Sequence, residues 1–379
     1  MDFALDESQT AICELARQIL TDRLTSERLK EVETGEDWFD PGTWSALAKA
    51  DLLGITLPES AGGGGFGFLE ACLILQEAGR TVAPLPLWAT LTAAHAVAEL
   101  GTDAQQAAWL PGVASGDVIL TVALAEPDAA STRTPAARAT ADSDGWRLSG
   151  SKTGVPAMHL AAAVLIPALL DDRSVGLFLV PTDAAGLRAE RQDTFNHEPQ
   201  FHLTLDDVAI GPEARLGADR DGEVAFTRLV DRATVGLCAV ASGVAEVGMR
   251  ITAGYVTKRE QFGRAIGTFQ AVCHRMADCY IDAAAINLTM LQAATRLAES
   301  GPDETVDPKV VAVAKYWASY GGSRIGHADL HLHGGISIDL EYAIHRYFLW
   351  SKHLELQLDA ATQQLAHLGA VLAAEPVAV

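Results

Sequence analysis

Cations are scarce in this 379-residue chain: 28 Lys and Arg stand against 49 Asp and Glu, a formal net charge of −21. Such a field repels nucleic-acid phosphates and anionic membrane surfaces, so neither is an expected partner. A phosphate-bearing ligand would have to be held by a few local cations or by backbone amides. Paired cysteines are missing too. Cys13, Cys72, Cys238, Cys273 and Cys279 form no C-x-x-C, and an odd, scattered set reads as reduced core thiols in a cytoplasm. No run approaches the roughly eighteen uninterrupted apolar residues of a membrane span. The most apolar stretch, VPAMHLAAAVLIPALL, holds a histidine and two prolines and ends at Asp171-Asp172, so a buried strand is expected there. The opening MDFALDESQT carries acids where a secretory signal carries Lys or Arg, so no targeting segment is expected. There is no G-x-S-x-G elbow.

What remains is a globular composition, 49% apolar and 20% charged, in a chain long enough to bury one large core or several smaller ones. Periodicity divides it in three. Residues 1–116 read as helices: SQTAICELARQIL puts Ile12, Leu15, Ala16, Ile19 and Leu20 on one face, and FGFLEACLILQEAGR is expected to stop at Gly79. PESAGGGGFG between them lacks both the lysine and the G-x-G-x-x-G spacing of a phosphate cradle, so it reads as a loop. Residues 117–220 alternate apolar and polar side chains. GWRLSG follows the turn pair Asp144-Gly145, SVGLFLV follows DDR, and FHLTLDDVAI alternates, which predicts an antiparallel sheet domain. Residues 221–379 return to helical periods broken at 263–267, at Gly301-Pro302 and at Gly334-Gly335, a four-helix bundle pattern. The fold class is α+β.

Within YVTKREQFGRAIGTFQ, Lys258, Arg259 and Arg264 gather beside a glycine turn and a helix expected to open at Thr268, with Gln270 in its first turn. A cation cluster at a helix N-terminus suits a diphosphate, although a solvated turn explains the same residues. The stretch REQFGRAIGTFQ closely resembles the signature of the acyl-CoA dehydrogenase family. LPESAGGGGFGFLEACLILQEAGR, LAEPDAASTR, GWRLSGSKTGV and HLHGGISIDLEY resemble its other segments in order, so the likeness covers essentially the whole chain.

The resemblance implies FAD as cofactor, lying between the β domain and the C-terminal bundle with its adenosine diphosphate end across a subunit interface. It implies that Arg259 and Phe262 contact that end with Gln270 nearby, and that His331, Gly334 and Gly335 reach the FAD of a neighbouring subunit. Ser131 falls near the pantetheine of an acyl-CoA substrate, and Asp231 matches a family aspartate in the substrate region. Departures are equally specific. His331 replaces a usual glutamine, Ala125 a flavin-facing threonine, and Gly154-Val155-Pro156 a tryptophan-containing segment. Small residues at Ala123, Ala125, Gly154 and Ala157 suggest room for a bulky acyl group.

The family's proton-abstracting glutamate aligns with Leu358, and the alternative base position on the first bundle helix with Ala233; neither side chain can take a proton. Thr234 stands where an arginine commonly meets CoA. Asp231 lies about 200° from Ala233 around a helix and does not simply substitute. Glu355 would share the helical face of Leu358, and Asp359 would point about 100° away. HLHGGISIDLEYAIHRYFLWSKHLELQL resembles actinobacterial subunits that dehydrogenate steroid side-chain CoA esters as hetero-oligomers, one partner carrying the base, more than it resembles the straight-chain fatty acyl enzymes. That implies three alternatives: a subunit completed by a base-bearing paralogue, a homo-oligomer using Glu355 or Asp359, or a redox-inactive subunit that completes a partner's flavin site. An electron-transfer flavoprotein is the expected acceptor and a tetramer the expected assembly. His327, His331 and His333 could be imagined around a metal, but no familiar ligand spacing completes the set, and a packing or cofactor-facing role is expected instead.

Overall fold

The computed structural model describes residues 3–127 and 129–374. Helices α1 (Glu7–Arg23), α2 (Ser26–Glu33), α3 (Pro41–Lys49), α4 (Phe68–Arg80), α5 (Leu87–Leu100) and α6 (Asp103–Ser115) form the N-terminal part. Capping boxes start two of them, Asp6 with Gln9 on α1 and Thr102 with Gln105 on α6, each side chain accepting from the other residue's N–H.

The middle region is an eight-stranded sheet: β1 (Leu120–Val122), β2 (Arg138–Asp142), β3 (Gly145–Pro156), β4 (Ala163–Leu169), β5 (Val175–Pro181), β6 (Leu187–Gln192), β7 (Gln200–Ile210) and β8 (Arg215–Leu216). The order is β6-β7-β3-β2-β4-β5-β8, with β1 against β4. It is antiparallel except that β4 pairs in parallel with β1 and, through Arg138 and Leu169, with β2. The apolar stretch 155–170 becomes the end of β3, a turn, and the buried strand β4.

The C-terminal part is α7 (Gly222–Lys258), the short strands β9 (Glu260–Gln261) and β10 (Arg264–Ala265), α8 (Gln270–Glu299), α9 (Pro308–His333), α10 (Ile344–Leu356) and α11 (Ala361–Ala374). Helix α7 is long and apolar enough to cross a bilayer, but it is mostly buried, packed against α4, α8, α9 and α10. Gly79 does not stop α4, which runs on to Arg80. A Cβ at Gly79 would lie 2.1 Å from the Val240 carbonyl oxygen, so the glycine serves the close crossing of α4 over α7. Helix α8 opens at Gln270 rather than Thr268, after a single 3₁₀ turn. Of the cysteines expected in the core, four are buried and Cys273 is exposed.

The main departure from the four-helix expectation is a break between α10 and α11. Leu358 and Asp359 both take left-handed backbone angles, φ 48° and 68°, without a glycine. Tertiary contacts hold the break. The buried Lys315 ammonium donates to the carbonyls of Leu354 (2.8 Å) and Glu355 (3.4 Å), capping the end of α10. Helical spacing therefore does not relate Glu355, Leu358 and Asp359.

Candidate active site

A cleft of about 420 Å³ opens between the sheet and the end of α10. Ala125 and Gly154 line one side, Leu356 and Leu358 the other, and Trp88 and Phe195 contribute aromatic walls. Ala125 bridges Thr153 across the sheet, and a Cβ on Gly154 would meet only the Gln200 side chain, at 3.4 Å. The small residues expected here divide: Ala125 and Gly154 reach the cleft, whereas Ala123 is buried within the sheet core. Trp88 is fixed by its indole N–H, which donates to the Ala233 carbonyl at 2.8 Å. That bond seals the alternative base position into the α5–α7 packing. Leu358 itself is 8% exposed.

Among the described residues, the ionisable side chains lining the cleft are Asp193 and His353. His353 Nε2 lies 2.7 Å from Glu198 and 3.2 Å from the Gln200 amide, a buried polar group that reading by motif passed over. Its sequence signal, a histidine five residues before Leu358, is visible only once α10 is known to face the sheet.

The two acids considered as substitutes for Leu358 are engaged elsewhere, and neither lines the cleft. Glu355 pairs with Lys352 at 2.5 Å. Asp359 accepts from Ser131 Oγ (2.7 Å), Thr132 Oγ1 (3.1 Å) and the Thr132 N–H (3.2 Å). Two residues on, Arg133 forms a buried pair with Asp231 at 2.6 Å. Ser131 and Asp231, read separately as substrate contacts, thus sit at one latch that ties the 131–133 turn to α7 and to the α10–α11 break. Burial holds the Asp231 carboxyl above its usual range, against the opposing pull of Arg133. Glu126 likewise accepts from the fully buried Lys152 at 2.6 Å and from the N–H groups of Ala136 and Ala137, which fixes the turn leading into the latch.

The second half of the site is a rim at the far end of the bundle. Arg259 caps the end of α7, and the hairpin β9–β10 carries Phe262 at its tip, φ 56° and 92% exposed. Arg264 lies over the Phe269 ring at 4.1 Å, beside exposed Gln270 at the start of α8. Four residues before Arg259, Tyr255 stacks on His333 at 4.4 Å, and its hydroxyl donates to the His333 carbonyl. The end of α7 is thereby fastened to the turn at Gly334-Gly335.

That turn is supported from beneath. The His333 Nδ1 meets the Asp329 carbonyl at 2.7 Å and its Nε2 the Tyr342 hydroxyl at 3.1 Å. Burial keeps the imidazole below its usual pKa, hence neutral near pH 7, and raises the Asp329 carboxyl to about 7 despite a 2.6 Å bond from Thr252. Gly334 has φ 63° and ψ −141°, and a Cβ on either glycine would have nothing within 4 Å. His331 is exposed, and His327 folds onto the Ser323 carbonyl, so the three histidines do not converge. Exposed Ile338 (80%) and Leu340 (69%) continue the rim as an apolar face.

The acyl-CoA dehydrogenase N-terminal domain model matches residues 6–117, and the acyl-CoA dehydrogenase C-terminal domain model matches residues 221–357. The chain belongs to the acyl-CoA dehydrogenase family. It is 36% identical to acyl-CoA dehydrogenase FadE27 of Mycobacterium tuberculosis, over 99% of this chain and 100% of the relative. The solved Tcur3481-Tcur3483 steroid ACAD is 46% identical, with TM-score 0.90, covering 97% of this chain and 98% of that one. The ChsE4-ChsE5 complex from Mycobacterium tuberculosis is 35% identical, with TM-score 0.92 and complete coverage of both chains. Acyl-CoA dehydrogenases are FAD-dependent oxidoreductases, and the residues of this chain fit that cofactor unevenly. An open glycine turn, an exposed aromatic tip and nearby arginines suit the diphosphate end of FAD, whereas Ala125 and Gly154 provide few contacts for a ring system.

Proposed function

We propose that this acyl-CoA dehydrogenase chain is the base-lacking subunit of a hetero-oligomer that introduces an α,β double bond into a bulky, steroid-like acyl-CoA thioester. A carboxylate of a paralogous subunit takes the α-proton. Arg259, Phe262, Gln270, His331, Gly334 and Gly335 hold the diphosphate and adenosine portions of FAD at the interface between the two chains. When bound, FAD supplies the acceptor for the β-hydride, and the electrons leave to an electron-transfer flavoprotein.

One observation carries this reading: the position that faces the cleft where a base is needed is Leu358, while Glu355 and Asp359 are held by Lys352 and by Ser131 and Thr132. A carboxylate committed to three hydrogen-bond donors cannot also reach a substrate α-carbon without opening its latch. The apolar face around Ile338 and Leu340 supports a protein partner at the rim, and the likeness to two hetero-complexes supports a paralogue as that partner.

The chain is purified alone and again after mixing with a base-bearing paralogue. Flavin content and acyl-CoA-dependent reduction of an artificial acceptor are then measured. Activity is expected only in the mixture and is expected to survive Glu355→Gln. Flavin-loaded, acyl-CoA-oxidising protein from this chain alone would overturn partner dependence. An inert mixture that still gains flavin would leave only cofactor holding.

A further inference from the structure

The guanidinium groups of this acidic chain are not spread evenly. Arg17, Arg80, Arg250 and Arg346 line one cleft of about 420 Å³ enclosed by α1, α2, α4, α7 and α10. This cleft shares no lining residue with the one beside Leu358. The four guanidinium groups face three carboxylates. Glu77 pairs with Arg17 and Arg80, Glu246 with Arg80 and Arg250, and Glu33 with Arg346. A positive charge is left over, inside a molecule whose net charge is −21.

Arg346 shows where that surplus points. Its side chain is only 5% exposed, yet only Nε is spent, on both oxygens of Glu33 at 2.7 and 2.9 Å. Among the described residues no hydrogen bond is made by its Nη1 or Nη2, and the residue lines the cleft. Neither Nη is sealed from solvent, so both stay free to donate to an anion in the cleft. Further donors surround the same opening: the partly exposed Arg17 and Arg250, and the hydroxyls of Thr21 and Ser26 at the junction of α1 and α2. Guanidinium forks and hydroxyls approaching from several sides suit the three terminal oxygens of a phosphoryl group better than the two of a carboxylate. The space is larger than a phosphate ion requires.

We propose that this arginine cleft binds a phosphoryl group, with Arg346 as its buried anchor and Arg250 as its outer contact. None of the residues lining this cleft is among the cofactor contacts proposed above.

Titration calorimetry on FAD-saturated complex, at ionic strength held constant with chloride, tests this with two probes, inorganic phosphate and adenosine monophosphate. Saturable binding is expected, weakened about tenfold by Arg346→Gln and two- to threefold by Arg250→Gln, the scale of losing charge-assisted hydrogen bonds. Tighter binding of the monophosphate than of phosphate identifies an ester ligand, and equal binding identifies the free ion. No saturation by either probe at 10 mM, on the order of the weakest specific affinities, overturns the proposal. So does affinity unchanged in Arg250→Gln, a variant of an exposed side chain that remains informative if Arg346→Gln fails to fold.

Discussion

The cleft beside Leu358 and the rim around Gly334, the two halves of the proposed site, are built in opposite ways. Around the cleft, groups that could act are engaged with neighbours: Asp359 with Ser131 and Thr132, Asp231 with Arg133, His353 with Glu198. At the rim, groups are held outward by buried neighbours: Phe262 stands in solvent, and the two glycines leave open space above a stack of Tyr255, His333 and Tyr342. A chain that only kept its fold would not need to display an aromatic tip and an unobstructed turn. On the proposed function, contact with an outside ligand is concentrated at the rim, while internal hydrogen bonds tie down the polar groups around the cleft.

The rim's support is the place to break this contrast hardest. The Asp329 carboxyl, raised from an ordinary 3.8 to about 7 by burial, binds its proton more tightly in the folded chain than in the unfolded one. Its contribution is therefore full below about pH 4, declines as pH rises from 4 to 7, and is absent above. At about 1.4 kcal/mol per pKa unit, up to roughly 4 kcal/mol is at stake. Asp329→Asn is expected to remove that slope and to be the more stable chain at pH 8, as read from urea unfolding midpoints at pH 5 and pH 8. Equal slopes in the two chains would show that Asp329 is ionised in place. Next in size, Arg259→Ala in the mixed complex is expected to weaken FAD ten- to hundredfold, about 1.5–3 kcal/mol for a lost charged hydrogen-bond donor. Bound flavin after gel filtration measures it, and an undiminished content would remove the rim from cofactor binding.

Much of this contrast could be read from residues alone, and the part that could not has a physical reason. Alternation in FHLTLDDVAI and the 3.6-residue period in SQTAICELARQIL separate sheet from helix because each periodicity follows from which face is buried. The turns of the rim were legible because Gly334-Gly335 and the glycines at 263–267 announce themselves by residue type, whereas Phe262 entered through the family resemblance alone. The α10–α11 break was not legible. Leu358 carries no local turn signal and Asp359 only a weak one, and their left-handed angles are sustained by Lys315 from α9 and by Ser131 and Thr132 from the sheet domain. Contacts spanning 39 to 228 residues leave no mark on local periodicity. Gly79 was misread for the same reason, because the Val240 carbonyl that forbids a side chain there is remote in sequence.

The glycines allow a finer cut. Gly334→Val places a β-branched residue at φ 63° and is expected to cost about 1–3 kcal/mol of stability, measured by thermal or urea unfolding. Gly335→Ala has open space and no such angle, so its stability should change by less than about 0.5 kcal/mol. Both should lower flavin content in the complex. Separating the two variants by stability while they agree on flavin would tie the open turn to the ligand rather than to folding.

The smallest expected effect falls in the cleft, and it is the one that most sharpens the division of labour. His353 and Asp193 are the ionisable side chains lining it, and His353 has in Glu198 the oriented acidic neighbour that a working imidazole base requires. If the proton instead goes to a carboxylate of the partner, His353 only joins α10 to the β6–β7 connection. In the mixed complex, His353→Gln should then leave turnover within about twofold, since general-base catalysis accounts for 10²- to 10⁴-fold. The pH profile should be unmoved. A hundredfold fall, with a changed pH profile and no change in flavin content, would place the base in this chain after all.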